Sequence, residues 1–231
     1  MNSETGNQSH WIPLADLMTG LMMIFMLLTA AFMLRVEQTT TLVVQEFQIT
    51  KNDLTLALQK EFATDLKYWN AEVLGDMTIR FNDPTVLFAT GSSELRPQFK
   101  KILRDFFPRY VNLITSDKYK NAVKEVRIEG HTSTFWASSM DPKVAYIKNM
   151  ELSQARTRSA LEFLLSLESI AGQQSWLIQR VTANGLSSSH PLLVSKNNSE
   201  LEDQINQRVE FRIVTTAGDK MDEIAKELER E

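Results

Sequence analysis

Between Ile12 and Leu34 the chain reads IPLADLMTGLMMIFMLLTAAFML, an apolar run broken by one charged side chain, Asp16. About 23 residues at ~1.5 Å rise make a helix ~34 Å long, enough to cross a hydrocarbon core of ~30 Å with modest tilt. No later stretch matches it without interruption by charge, so one crossing is expected. Pro13 suits the first turn of such a helix, where its missing N–H is not needed. The preceding tail, MNSETGNQSHW, holds no Lys or Arg, and the apolar core of a secretory signal has no use for an aspartate. The run therefore reads as a retained anchor. Orientation is less legible, because basic residues collect on the cytoplasmic side and here the flanking one, Arg35, follows the span. Taken alone, that bias opposes a cytoplasmic N-terminus.

Charge is distributed in two regimes. Up to Arg35 the formally charged side chains are Glu4, Asp16 and Arg35, whereas the rest of the 231 residues is charged throughout. The sequence thus describes an anchor followed by a polar body. A pI near 5.5 and a net charge of −4 argue against a nucleic-acid surface. With no cysteine the body is built without disulfides, which leaves the compartment undecided. Eight glycines, none in a phosphate-binding fingerprint, and no nucleophile triad give no sign of an enzyme or a bound cofactor.

After Arg35, apolar residues recur at Leu58, Phe62, Leu66, Trp69 and Val73, a helical stripe that predicts a linker helix running toward Gly75. Its face either packs on the folded domain or serves self-association or a plug. MTIRF (77–81) and TVLF (85–88) read as short strands split by the turn NDP, and Leu103, Phe106, Phe107 and Tyr110 mark a helix that Pro108 interrupts or kinks. EVRIEG (125–130) is a strand, and residues 131–149 form a loop long enough to be functional. MELSQARTRSALEFLLSLESI (150–170) is a second helix, its buried side assigned to Leu152, Ala155, Leu161, Leu164 and Leu165. RVTANG and RVEFRIVTT complete the strands, and the charged end reads as a solvated helix. Strands and helices alternate as in an α+β sandwich.

An ionisable residue inside a span costs about 2.5–3.5 kcal/mol at the centre and less near the ends, so it is rare unless it faces protein or water. Asp16 lies about one turn inside the helix start, and two readings follow: a carboxyl that snorkels or caps, or an ion-carrying site. Its neighbours favour the second. On a helix Asp16, Thr19, Gly20 and Met23 share one face, combining a carboxyl, a hydroxyl and a small residue that admits another helix. A carboxyl in apolar surroundings is protonated and gives up its proton on meeting water, which makes a proton shuttle once a partner supplies the second wall. Met18, Met22, Met23, Met26 and Met33 lack the His or Cys that a soft-metal site wants, and read as adaptable packing. His10, His131 and His190 show no metal-ligand spacing.

WIPLADLMTGLMMIFMLL resembles the single transmembrane helix of MotB-type stator subunits. VLFATGSSELRP, VRIEGHTS, NMELSQARTRSALEFLL, RVTANGLSSSHPL and NQRVEFRI are similar, in that order, to the segments of an OmpA-like peptidoglycan-binding domain. Within that superfamily the short tail and DLMTGLMM look most like the ZorB family, the MotB-like subunits of Zorya anti-phage defence systems. The resemblance implies that Asp16, with Thr19 beside it, is the ion-translocation site, carrying H+ with Na+ possible, and that no cofactor is bound. It implies that Arg156 grips the stem peptide of peptidoglycan, with Asn149, Leu152, Thr132 and Arg208 in the family's order around it. Where the family has an aspartate after GHT, this chain has Ser133, so Asp141 takes over its role or the amine of the stem is held less tightly. Gln207 stands where the family often has a further arginine.

The expected organisation is a cytoplasmic tail (1–11), a transmembrane helix (12–34), a helical linker (35–75), an OmpA-like domain (76–216) and a charged tail (217–231). The resemblance implies a single-pass inner-membrane protein with a periplasmic C-terminal domain, paired with a second copy of itself and surrounded by a MotA-like (ZorA-type) subunit. It would be an ion-driven motor subunit anchored to peptidoglycan and acting in anti-phage defence, rather than an enzyme. A flagellar-type stator and a passive membrane-to-wall tether are the alternatives, the tether requiring that Asp16 be dispensable.

Overall fold

The computed structural model describes residues 11–134, 136, 141–192 and 204–220. The chain falls into two units, Met1–Glu46 and Phe47–Glu231. Helix α1 (Trp11–Phe62) starts at the predicted anchor and is long and apolar enough to cross a membrane. In the first unit its leucines, methionines and phenylalanines are exposed all round, as a lipid-facing helix requires.

The second unit is built on a five-stranded sheet of order β1-β2-β5-β3-β4, comprising β1 (Ala71–Val73), β2 (Thr78–Phe81), β3 (Val123–His131), β4 (Val181–Ser187) and β5 (Arg208–Thr215). β3 and β4 are parallel and all other pairs antiparallel. A parallel pair needs a long crossover, and α4 (Pro142–Leu165) provides it with α5 (Gln174–Arg180). Helix α3 (Pro97–Ile114) runs through Pro108 and packs an aromatic stripe on the same face of the sheet. Phe106 lies 5.0 Å from Phe211 of β5 and 5.3 Å from Phe81 of β2, ring centroid to centroid.

The end of α1 joins this core. Leu54, Leu58 and Phe62 are fully buried, with Phe62 5.2 Å from Phe106. Arg109 of α3 lies over the Phe62 ring and donates to the Glu61 carbonyl at 2.7 Å and to Asp65 at 2.9 Å. Of the two readings of the stripe, packing on the domain describes Leu58 and Phe62. The helical pattern does not reach Gly75: α1 ends at Phe62, and Ala71–Val73 pair with β2 as a strand.

Two further elements differ from expectation. TVLF belongs to a short helix, α2 (Pro84–Leu87), because the Asp83 side chain caps the Thr85 N–H and Pro84 occupies the first helical position. Helix α4 begins at Pro142, eight residues before the start assigned from sequence, and its buried face is largely polar: Asn149, Ser153, Arg156 and Thr157 point inward while Ala155 is exposed. The cause lies in the strands beneath. A Cβ on Gly130 would sit 2.6 Å from Thr157 Cγ2, and one on Gly185 would collide with the backbone of Gln154. The helix therefore rests directly on strand backbone, and its inward side chains are small or hydrogen-bonding ones. Ser153 Oγ accepts from the Ser187 N–H at 3.1 Å, and Ser187 Oγ donates to the Tyr146 carbonyl at 3.0 Å.

Candidate functional site

The close contact of α4 with β3 and β4 sets a cavity of ≈ 400 Å³ at the end of the sheet where β3 runs out. Thr132 and Ser133 follow β3 directly, the Thr132 N–H extending the strand pairing to the Ser187 carbonyl at 2.9 Å. Helix α4 presents Asn149, Leu152 and Arg156, spaced i, i+3 and i+7 on one face, toward the same space. Five of the residues singled out in the sequence thus line one cavity. Trp136, Gln207 and the turn at Thr90 and Gly91 complete the wall.

Arg156 is the electrostatic centre. It is 7% exposed, and its partners among the described residues are neutral: Nε donates to the Ser92 carbonyl at 2.9 Å, Nη2 to the Ala89 carbonyl at 3.3 Å, and the guanidinium lies over the Phe88 ring at 4.9 Å. Burial pulls its pKa down to about 10, the direction expected of a buried cation without a counter-charge. Those bonds fix the guanidinium plane and leave N–H donors for an incoming anion. Beside it Thr132 is 3% exposed, and its Oγ1 has no hydrogen-bond partner among the described residues. An unmet hydroxyl and an unneutralised cation in one cavity are the features of a site for a carboxylate-bearing ligand.

Arg208 is not part of this cavity. Gln207, just ahead of β5, lines it, whereas Arg208 opens β5 on the opposite face of the sheet, where Nε donates to Glu210 at 2.7 Å and Nη2 to the His190 carbonyl at 3.0 Å. Nor does Asp141 supply the missing acid. Its side chain accepts from the Lys143 N–H at 2.8 Å and caps the start of α4.

On that opposite face, Glu129, His131 and Glu210 offer ligand atoms within 4.8 Å of one another, a cluster the wide spacing of the histidines does not announce. It is legible only as two strands of alternating charge, EVRIEGH and RVEFR, laid side by side. Glu129 and Glu210 face each other in register and are held by guanidiniums: Arg80 and Arg208 on Glu210 at 2.8 and 2.7 Å, Arg212 on Glu129 at 3.0 Å. These positive groups oppose a divalent cation, so the trio reads as the hub of an ion-pair network. Burial raises the cost of the Glu210 carboxylate, but hydrogen bonding and charge from Arg208, with His131 and Arg80, outweigh it and hold the pKa at about 2. His131 is pushed down to about 3 by burial and by Arg208, and neither ring nitrogen has a hydrogen-bond partner among the described residues.

Both groups make the fold acid-sensitive. The unfolded chain protonates His131 near 6.5 while the folded chain resists down to about 3, so stability is complete above 6.5 and falls with pH below it. The expected slope is ~1.4 kcal/mol per pH unit. Glu210 adds a second loss as pH falls from 4.5 toward 2. Urea unfolding followed by tryptophan fluorescence should show the first loss between pH 6.5 and 5, and His131→Gln should flatten that interval. An unchanged profile in the variant would remove His131 as the cause.

In the first unit Asp16 and Thr19 are exposed on the surface of α1, one turn apart. Thr19 Oγ1 donates to the Ala15 carbonyl at 2.8 Å, which directs its remaining lone pairs outward. A Cβ at Gly20 would meet nothing within 4 Å, so this face is open to a close neighbour.

The second unit shares the fold of a MotB-like protein. A MotB-like protein from Desulfovibrio vulgaris superposes with a TM-score of 0.53 at 22% identity, over 74% of this chain and 98% of that one. The chain belongs to the ZorB family: it is 42% identical to Zorya protein ZorB of Escherichia coli strain Crooks over 218 residues, covering 91% of this chain and 90% of the relative. A second Zorya protein ZorB, from Escherichia coli O139:H28, is 24% identical over 96% of this chain and 88% of its own length. No protein-family model matches.

Proposed function

We propose that the chain is the wall-anchored subunit of an ion-driven motor in the bacterial inner membrane, acting in anti-phage defence. Membership of the ZorB family supports the assignment to a stator-like, anchored subunit. The observation that carries the anchor is the buried Arg156, with no counter-charge among the described residues, in a cavity with a Thr132 hydroxyl that none of them partners. Its ligand is the carboxylate-bearing stem peptide of peptidoglycan, held by paired N–H donors. Asn149, Leu152 and Ser133 shape the space around that contact.

The observation that carries the motor is Asp16 on an apolar helix beside Thr19 and Gly20. One helix has no second wall, so a MotA-like membrane subunit of the ZorA type, around two copies of this helix, supplies it. Each proton crossing ~100 mV brings ~2.3 kcal/mol. Neutralising and recharging the Asp16 carboxyl switches its contact with the partner, and repeated switching against a subunit fixed to the wall becomes rotation.

This reading requires the N-terminus in the cytoplasm and the domain in the periplasm. The natural chain has no cysteine, so single cysteines at Ser3 and Ser189 report side directly. A membrane-impermeant maleimide should label Ser189→Cys in intact spheroplasts and Ser3→Cys only after lysis. The reverse pattern would put the wall site on the wrong side and end the proposal.

A further inference from the structure

Among the described residues lining the cavity, Arg156 is the one charged side chain. None of the described acids lines it. Asp141 caps its own helix, Glu151 pairs with Lys148 at 2.9 Å, and Glu129 and Glu210 are held by arginines on the other face of the sheet. Besides Arg156 the described lining consists of hydroxyl and amide side chains with Gly91, Leu152 and Trp136.

A stem peptide that carries a diamino acid offers both a carboxylate and an ammonium. An ammonium brought into a cavity without an acid loses hydration that nothing there returns, and it meets the field of Arg156. The same nitrogen acylated, as it is when two stems are cross-linked, is a neutral amide that hydroxyls and an aromatic wall accept. Resting on the wall-binding reading above, we infer that this cavity grips the carboxylate of the diamino acid and is indifferent to its free amine, so that cross-linked wall is bound as well as uncross-linked wall.

The test uses the full-length chain in detergent and three synthetic tripeptide stems ending in a diamino acid with a free carboxylate. One keeps the free amine, one has it acetylated, and one has the carboxylate converted to amide. Calorimetry should give the first two affinities within about threefold and the third weaker by about tenfold or more. If acetylation costs about tenfold or more, an acid pairs with the amine: the inference fails while wall binding stands. If no stem binds, or Arg156→Ala binds all three as wild type does, the wall reading and the inference fall together.

Discussion

Arg156→Ala should release the chain from the cell wall while leaving it folded and in the membrane. The side chain is buried and reaches out of α4 to carbonyls of the turn after α2, at Ala89 and Ser92, rather than into the hydrophobic core. Removing it deletes a desolvated charge from the cavity, and with a carboxylate ligand the loss should match that of truncating one side of a buried charged pair, about 2–5 kcal/mol, or ~30-fold to several thousandfold in affinity. Arg156→Lys keeps the charge but not the planar fork, and should recover only part of that loss. Co-sedimentation of the detergent-solubilised chain with purified sacculi reads both. Removing an unpaired buried cation has little electrostatic cost to the fold, so a melt should show only the lost packing on Phe88 and the two carbonyl contacts. Wild-type sedimentation by the alanine variant would mean that the cavity is not the anchor.

Asp16→Asn should have the larger biological effect with the smaller structural one. Asparagine matches aspartate in shape and polarity, and insertion of α1 is governed by the apolar residues around it. Membrane level and wall binding should be unchanged. What asparagine lacks is a proton to take up and release, so the step coupling ion movement to the partner contact is gone entirely. Asp16→Glu keeps that chemistry on a longer arm and should retain part of the function. A passive tether predicts the opposite: Asp16→Asn silent and Arg156→Ala damaging.

Much of this was readable in the sequence where a single period dominates. The unbroken apolar run marks the membrane-length part of α1, and the spacing of Leu103, Phe106, Phe107 and Tyr110 marks the buried face of α3. The reading failed where local chemistry or a neighbouring element overrode the pattern. TVLF alternates like a strand, yet Asp83 and Pro84 ahead of it cap a helix turn. The leucines mark only part of the buried side of α4: Leu164 is buried and Leu161 and Leu165 pack against the core, whereas earlier in the helix Gly130 and Gly185 bring strand backbone close and select Ser153 and Thr157. Strand β1 has three residues and exists through its pairing with β2, which no local pattern encodes. The cavity residues contributed by α4 and the end of β3 follow from the resemblance. Trp136 belongs to the 131–149 loop but carries no signal of its own there, the Thr90–Gly91 turn comes from a separate loop, and Gln207 lines the cavity while Arg208, the first residue of β5, does not.

The central claim is that the Asp16 carboxyl is the working group of a wall-anchored motor. Its most direct measurement is phage plating on cells carrying the intact operon with wild-type, Asp16→Asn or Asp16→Glu chains, with membrane levels and sacculus binding determined in the same strains. The account predicts that Asp16→Asn is present at the wild-type level, binds sacculi normally and gives no protection, with Asp16→Glu in between. Full protection by Asp16→Asn at that level would contradict it and leave the chain a tether whose aspartate is structural.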